Sequence, residues 1–223
     1  MICCNLKKSG VLNKAEMMRT KGILLAMALM AIIMVPLTAQ LTVGGFIDFN
    51  IAGISVNPGG DDEDYSSYLG VGLGGIVTYP LMNGLALQAE PLFLQKGGKV
   101  TEFDETLTLK ILYFEIPIFL RYNIAVSESY LPYVILGPNL GFRASAKVVF
   151  PDGSSSDASD DFSVIDLGLG LGGGVEVPLG NLIVFGETRY VFGLNDINME
   201  SGESTVKNRG LQILFGVKVP IGD

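Results

Sequence analysis

The sequence predicts an all-β fold: an eight-stranded antiparallel up-and-down transmembrane β-barrel preceded by a signal peptide. Three observations carry this. From Leu41 onward apolar residues recur with period two, which is the signature of strands. The connections between the alternating segments switch between short turns and long acidic stretches. The less apolar face holds glycine and charged residues in a chain with 29 glycines in 223 residues, about twice the ordinary share, and only 17% charged residues. Glycine shows no three-residue period, which excludes a collagen-like chain.

The first 39 residues are read as a signal peptide and residues 40–223 as the barrel. Lys14, Arg19 and Lys21 precede the 15-residue apolar run from Ile23 to Leu37, and Thr38 and Ala39 follow it. This is the basic, apolar and small-residue order of an export signal, with cleavage placed after Ala39. At about 1.5 Å per residue the run covers about 22 Å, short of a hydrocarbon core of about 30 Å, so it does not read as an anchor. Residues 1–16 add nothing to such a signal, and Met17 or Met18 is an alternative start. Removing residues 1–39 takes away five of the 15 basic and one of the 23 acidic residues, leaving a strongly acidic chain for which nucleic acid is not an expected partner. Cys3 and Cys4 both lie upstream of the apolar run, so the exported chain has neither a disulfide framework nor a thiol nucleophile.

The strands follow in order. In Thr42 to Asn50, Val43, Ile47 and Phe49 alternate with Thr42, Gly44, Asp48 and Asn50. In Leu69 to Tyr79, Leu69, Val71, Leu73, Val77 and Tyr79 alternate with Gly70, Gly72, Gly74 and Thr78. The third strand falls near Leu85 to Lys96. The fourth sets Leu112, Phe114, Ile116, Ile118, Leu120 and Tyr122 against Tyr113, Glu115, Pro117, Phe119 and Arg121. The fifth lies near Leu131 to Lys147. The sixth sets Ile165, Leu167, Leu169, Leu171, Val175 and Val177 against Asp166, Gly168, Gly170, Gly172, Gly174 and Glu176. The seventh and eighth lie near Leu182 to Leu194 and Arg209 to Val219. Pro80 to Gly84 and Pro178 to Asn181 read as tight turns, and Asn123 to Tyr130 as a somewhat longer connection. Gly53 to Ser67, Gly97 to Thr106, Pro151 to Asp161 and Asn195 to Asn208 read as long polar loops. An even strand count with short turns at one rim and long loops at the other is the layout of an outer-membrane barrel.

A soluble ligand-binding barrel in the periplasm also alternates, so the character of the less apolar face decides. Asp48, Glu90, Glu115, Arg121, Asp166, Glu176, Glu187 and Arg189 suit a narrow polar lumen rather than a lipophilic cup. Eight strands leave interior room for side chains alone. Phe49, Phe93, Phe142 and Phe192 near the long-loop rim, with Tyr79 and Tyr122 near the other, approximate two interfacial girdles.

Specific segments point to a family. Leu87-Gln88-Ala89-Glu90-Pro91-Leu92-Phe93 with Gln95-Lys96-Gly97, then Tyr113-Phe114-Glu115-Ile116-Pro117-Ile118-Phe119-Leu120-Arg121-Tyr122, resemble the PorT-like outer-membrane β-barrel domain common in Bacteroidetes. Pro132-Tyr133-Val134 with Gly137-Pro138, and Lys207-Asn208-Arg209 with Gln212-Ile213, extend the resemblance over nearly the whole exported chain. It implies an eight-stranded outer-membrane barrel and little chemistry; the family's founding member is associated with secretion and maturation of exported proteases. The sequence departs from many such barrels in ending Val219-Pro220-Ile221-Gly222-Asp223, without the terminal aromatic presented to the insertion machinery. Pro91, Pro117 and Pro138 fall inside strands, where each removes a ladder donor, and are read as bends or bulges.

The candidate chemistry is structural. Gly70-Val71-Gly72-Leu73-Gly74-Gly75 and Gly168-Leu169-Gly170-Leu171-Gly172-Gly173 match a dinucleotide fingerprint literally, but no helix pattern follows either, so no cofactor is expected. Histidine is absent, which removes a Ser-His-Asp triad and His-based metal sites. Glu90, Glu115 and Glu187 with Arg121 and Arg189 are expected to form a lumen ion-pair network rather than acid/base machinery, since unpaired buried charges are costly. Asp61, Asp62, Glu63 and Asp64, with Asp157, Asp160 and Asp161, lack the spacing of a calcium loop and are expected to form a solvated contact surface. The expected partners are the outer-membrane bilayer, the insertion machinery and a protein or surface polymer met through the loops. The expected function is a non-enzymatic structural or interaction barrel, with a small pore as the alternative.

Overall fold

A computed structural model of the chain describes residues 41–57, 65–102, 105–127, 129–197 and 205–222. These belong to one compact unit, Gln40–Asp223. The strands are β1 (Leu41–Asn57), β2 (Tyr65–Met82), β3 (Leu85–Ala89), β4 (Leu92–Glu102), β5 (Glu105–Asn123), β6 (Leu131–Val149), β7 (Ser155–Asp157), β8 (Ile165–Leu179), β9 (Leu182–Gly193) and β10 (Thr205–Ile221). All pairings are antiparallel. β3 and β4 are two halves of one crossing between β2 and β5, and β7 is an outlying strip on β6. That leaves eight crossings, and the pairing of β1 with β10 from Leu41↔Ile221 to Asn57↔Thr205 closes the ring.

Closure follows from the alternation. Val43, Ile47, Phe49 and Ile51 of β1 share a face with Val219, Phe215, Ile213 and Leu211 of β10 because directly opposed residues point the same way. Phe46, Asp48, Asn50 and Ala52 face the other way and are buried, whereas Ile47, Phe49 and Ile51 are exposed. The same parity runs through β5 and β8, so apolar side chains cover the outside, while charged and polar side chains share the inside with apolar clusters such as Phe46, Ile76, Leu92, Leu94, Phe185 and Leu214. Gly74 shows why glycine suits the inner face, since a Cβ there would lie 2.6 Å from Leu92 Cβ and 2.7 Å from Phe46 Cζ.

The turns at the short rim are tighter than expected. Met82 pairs with Leu85, leaving Asn83 (φ 48°) and Gly84 (φ 80°), both left-handed as a type I′ hairpin requires. Leu179 pairs with Leu182 around Gly180 (φ 66°). Pro91 interrupts the third crossing. The Glu90 amide there donates to the Pro117 carbonyl at 3.1 Å, and the Gly75 amide to the Pro91 carbonyl at 2.9 Å, so the break is spanned. Pro117 and Pro138 remain within β5 and β6.

Strands at the other rim run farther than the periodicity indicates. The expected loop from Gly97 to Thr106 is instead mostly ladder, with Gly97↔Lys110 through Glu102↔Glu105 paired and only residues 103–104 left between strands. Polar residues dominate this stretch of sequence, which erases the apolar alternation while leaving the backbone free to pair. β1 likewise continues to Asn57, and β10 starts at Thr205. A 19-residue strand such as β5 is about 60 Å long, or about 45 Å along the axis at a tilt of about 40°, against an apolar band of about 25 Å. The wall therefore stands well clear of the bilayer on the long-loop side.

Candidate functional site: a charged lumen inside an apolar wall

Among the described residues, ten charged side chains are buried within the barrel: Asp48, Glu90, Glu115, Asp166, Glu176, Glu187, Lys96, Arg121, Arg189 and Lys218. Six carboxylates against four cations leave two formal negative charges in excess. All six ion pairs among the described residues lie here.

They form three linked groups. Toward the short-turn rim, Glu176 of β8 is shared by Arg121 of β5 and Lys218 of β10. Arg121 also donates to Gln88 (3.1 Å) and Asn123 (2.6 Å), and its guanidinium stacks 3.6 Å from the Tyr133 ring centroid. At mid-height, Arg189 of β9 pairs with Glu90 and with Glu187 (3.1 Å) and donates to Gln212 (2.5 Å). Gln88 donates to both Glu90 (2.5 Å) and Glu187 (3.0 Å), and the Tyr133 hydroxyl donates to Glu187 (3.0 Å). Toward the long-loop rim, Lys96 of β4 pairs with Glu115 (2.5 Å) and Asp166 (3.0 Å). Asn139 donates to Glu115 (2.7 Å) and Asn208 to Asp166 (2.9 Å). Both Asp48 carboxylate oxygens are buried without a hydrogen-bond partner.

Among the described residues the lumen is packed with side chains. Arg121, Arg189, Tyr113, Tyr133, Phe119, Phe185 and Lys218 are fully buried, and a void lined by Asn50, Lys96, Asp166, Asn208 and Gln212 measures about 10 Å³, room for about one water.

The structure therefore brings Glu90, Glu187 and Arg189 together, but sends Arg121 to Glu176 and Glu115 to Lys96. Lys96 and Lys218, absent from the expected network, complete it. Their parity was the available signal: Lys96 lies six residues from Glu90, and Lys218 six from Gln212, each on the inward register of its crossing. Asp157, Asp160 and Asp161 are exposed near one short 3-10 turn, Ser159–Asp161, while Asp61 to Asp64 lie outside the described residues. Hydrogen bonding to Ser159, through its side chain first and then its amide at 2.7 Å, holds the Asp157 carboxyl below the usual carboxylate range. Asp152 is held low in the same way by Ser154. Neither glycine motif opens a helix, since they lie in β2 and β8.

Leu69, Leu73, Phe93, Leu120, Leu136, Leu171 and Phe215 are each at least half exposed, so the wall carries an apolar belt that suits only a bilayer. A closed ring of eight antiparallel strands, apolar outside and packed with ion pairs inside, defines an outer-membrane β-barrel protein. Residues 37–198 match the family model described as outer membrane protein beta-barrel domain, and the chain belongs to that family. Its place is the outer membrane, not the periplasm. No curated protein matches the chain. Among solved structures it is similar to Neisserial surface protein A, at 20% identity and a TM-score of 0.51 over 81% of this chain and 97% of that one. A major outer membrane protein from Thermus thermophilus has 13% identity and a TM-score of 0.51, covering 82% and 100%. The outer membrane protein OprG from Pseudomonas aeruginosa has 15% identity and a TM-score of 0.50, covering 83% and 97%. At these identities the likeness concerns the fold.

Proposed function

We propose that this protein is a non-enzymatic structural or interaction barrel whose extended acidic rim faces outside and meets a protein or surface polymer. In this reading residues 1–39 are an export signal removed near Ala39, the insertion machinery assembles residues 40–223, and the PorT-like segments mark an accessory envelope or secretion component. The observation that carries the reading is the packed lumen. Arg121, Arg189 and Lys218 are each fully buried and engaged by carboxylates from other strands, so charge inside the barrel is used for mutual pairing. A hydrolytic site needs a reactive group open to substrate, and Glu90, Glu115 and Glu187 are closed off. The strands that project beyond the apolar belt supply contact area instead, together with exposed Asp157, Asp160 and Asp161.

The test is single-channel recording of the purified chain in planar bilayers. No stable unitary conductance is expected. A reproducible conductance that changes when Arg189 or Lys96 is neutralised would establish the small-pore alternative and refute this reading.

A further inference from the structure

We infer that the outer wall at β4, β5 and β6 is a binding site for a phosphorylated lipid of the adjoining leaflet, with Lys99, Lys110 and Lys147 as the phosphate ligands. Of the ten basic residues after position 39, four lie in the lumen and Arg143 sits on the inward register opposite Tyr113; the other five, Lys99, Lys110, Lys147, Lys207 and Arg209, all belong to the outer face of the long-loop half of the wall. The outer surface of the short-turn half has none. In an acidic protein this is a strong asymmetry, and none of the six ion pairs among the described residues uses these cations.

Strand register gathers three of them. Gly97 pairs with Lys110, and Lys110 pairs with Lys147, forming one row across β4, β5 and β6. Lys99 opposes Thr108 one step higher on the same face, diagonal to Lys110. Inward-facing Lys96 fixes this parity: Gly97 and Lys99 point outward. Gly97 contributes no side chain beside Lys110 and lies close against the β5 backbone, where a Cβ would come within 2.0 Å of the Leu109 carbonyl oxygen. Lys110 directly opposite Lys147 is a like-charge pair, which is destabilising unless an anion lies between them. Asp157, opposite Lys147 on β7, accepts from the Ser159 amide and attracts both Lys147 and Arg143; it partly offsets the charge of Lys147 and leaves Lys99 and Lys110 without a carboxylate in any ion pair among the described residues.

Below the cations the same three strands offer apolar surface. Phe93 opposes Phe114, their rings 5.1 Å apart, and Phe114 opposes Phe142. Between this aromatic row and the lysine row lie Gln95, Leu112 and Ser145. Lys110 is four residues above Phe114, about 10 Å along the axis at the usual rise and tilt. Aromatics at the hydrocarbon boundary with lysines about one headgroup higher match a lipid's acyl chain and phosphate, and long lysine stems can reach down toward the interface. A free phosphate would use the lysines alone, so the aromatic platform commits the site to lipid.

Native mass spectrometry of the full chain in neutral detergent, titrated with phosphatidic acid, tests this. Wild type is expected to bind one molecule preferentially, and K99Q/K110Q/K147Q to bind at least tenfold more weakly. Diacylglycerol and inorganic phosphate are each expected to bind at least tenfold more weakly than phosphatidic acid. K207Q/R209Q, which removes charge elsewhere on the same rim, is expected to bind as wild type. Equal binding by the triple variant, equal loss in both variants, or inorganic phosphate matching the lipid would overturn the site. If the triple variant does not fold, K110Q/K147Q replaces it, and without lipid its unfolding midpoint is expected at or above that of wild type because the like-charge opposition is gone. A lower midpoint would count against the argument. The leaflet assignment rests on the outward orientation proposed above. That is checked separately by whole-cell labelling of Ser154→Cys, so failure of orientation and failure of lipid binding are distinguishable.

Discussion

Replacing Arg189 by Met tests whether the lumen is held by paired charges or by simple filling. Arg189 is fully buried and satisfies Glu90, Glu187 and Gln212 from three other points on the wall or its own strand. Methionine keeps part of the volume but leaves two buried carboxylates without their cation. Breaking a buried pair in this way costs about 3–5 kcal/mol, whereas replacing all its members by uncharged groups is often nearly neutral. R189M is therefore expected to lose about 3–5 kcal/mol, on the order of a thousandfold in the folding equilibrium. R189M/E90Q/E187Q is expected to regain most of that loss. Urea unfolding in phosphatidylcholine vesicles, followed by the different gel mobility of folded and unfolded chains, reads both values. A triple variant no more stable than R189M would refute the reasoning. The cost would then come from lost packing of the guanidinium 5.0 Å from the Phe119 ring centroid, not from stranded carboxylates.

Gly74→Leu is expected to destabilise the barrel by about 1–3 kcal/mol or block closure, because its Cβ would meet Leu92 and Phe46; urea midpoints check it. The exposed Asp157 carboxyl titrates lower folded than unfolded, so its contribution to the turn is full above the ordinary carboxylate range and is lost as pH falls through the folded value. Hydrogen exchange at the Ser159 amide, corrected for intrinsic rate, should lose protection in acid in the native chain but show a smaller pH dependence in Asp157→Asn. Equal pH dependence in both would remove Asp157 as the cause.

The fold was legible in the sequence because period-two alternation is a local property. Ile47, Phe49 and Ile51 declare an outer face and Asp48 and Asn50 an inner one without reference to any other strand. Strand ends were less legible. Lys99, Thr106, Thr108 and Lys110 put polar side chains on the outer face while Leu109 and Ile111 pack inward with Tyr113 and Ala146, so the apolar-outside alternation inverts at this height and the hairpin above it rests on backbone pairing. The dependence on pairing also explains why the Gly97 to Thr106 segment reads as loop but folds as hairpin.

The sequence by itself determined the strand number, the inward and outward parity and the presence of charge inside. Only the tertiary structure decided which charge meets which. Glu90 and Arg189 are 99 residues apart, and Lys218 is 42 from Glu176. Alternation states that each faces inward, but which partners share a level depends on the strand stagger around the closed ring, set by every ladder together. The gathering of Lys99, Lys110 and Lys147 on the outside has the same origin, since cross-strand register places residues from three strands side by side that no local pattern connects.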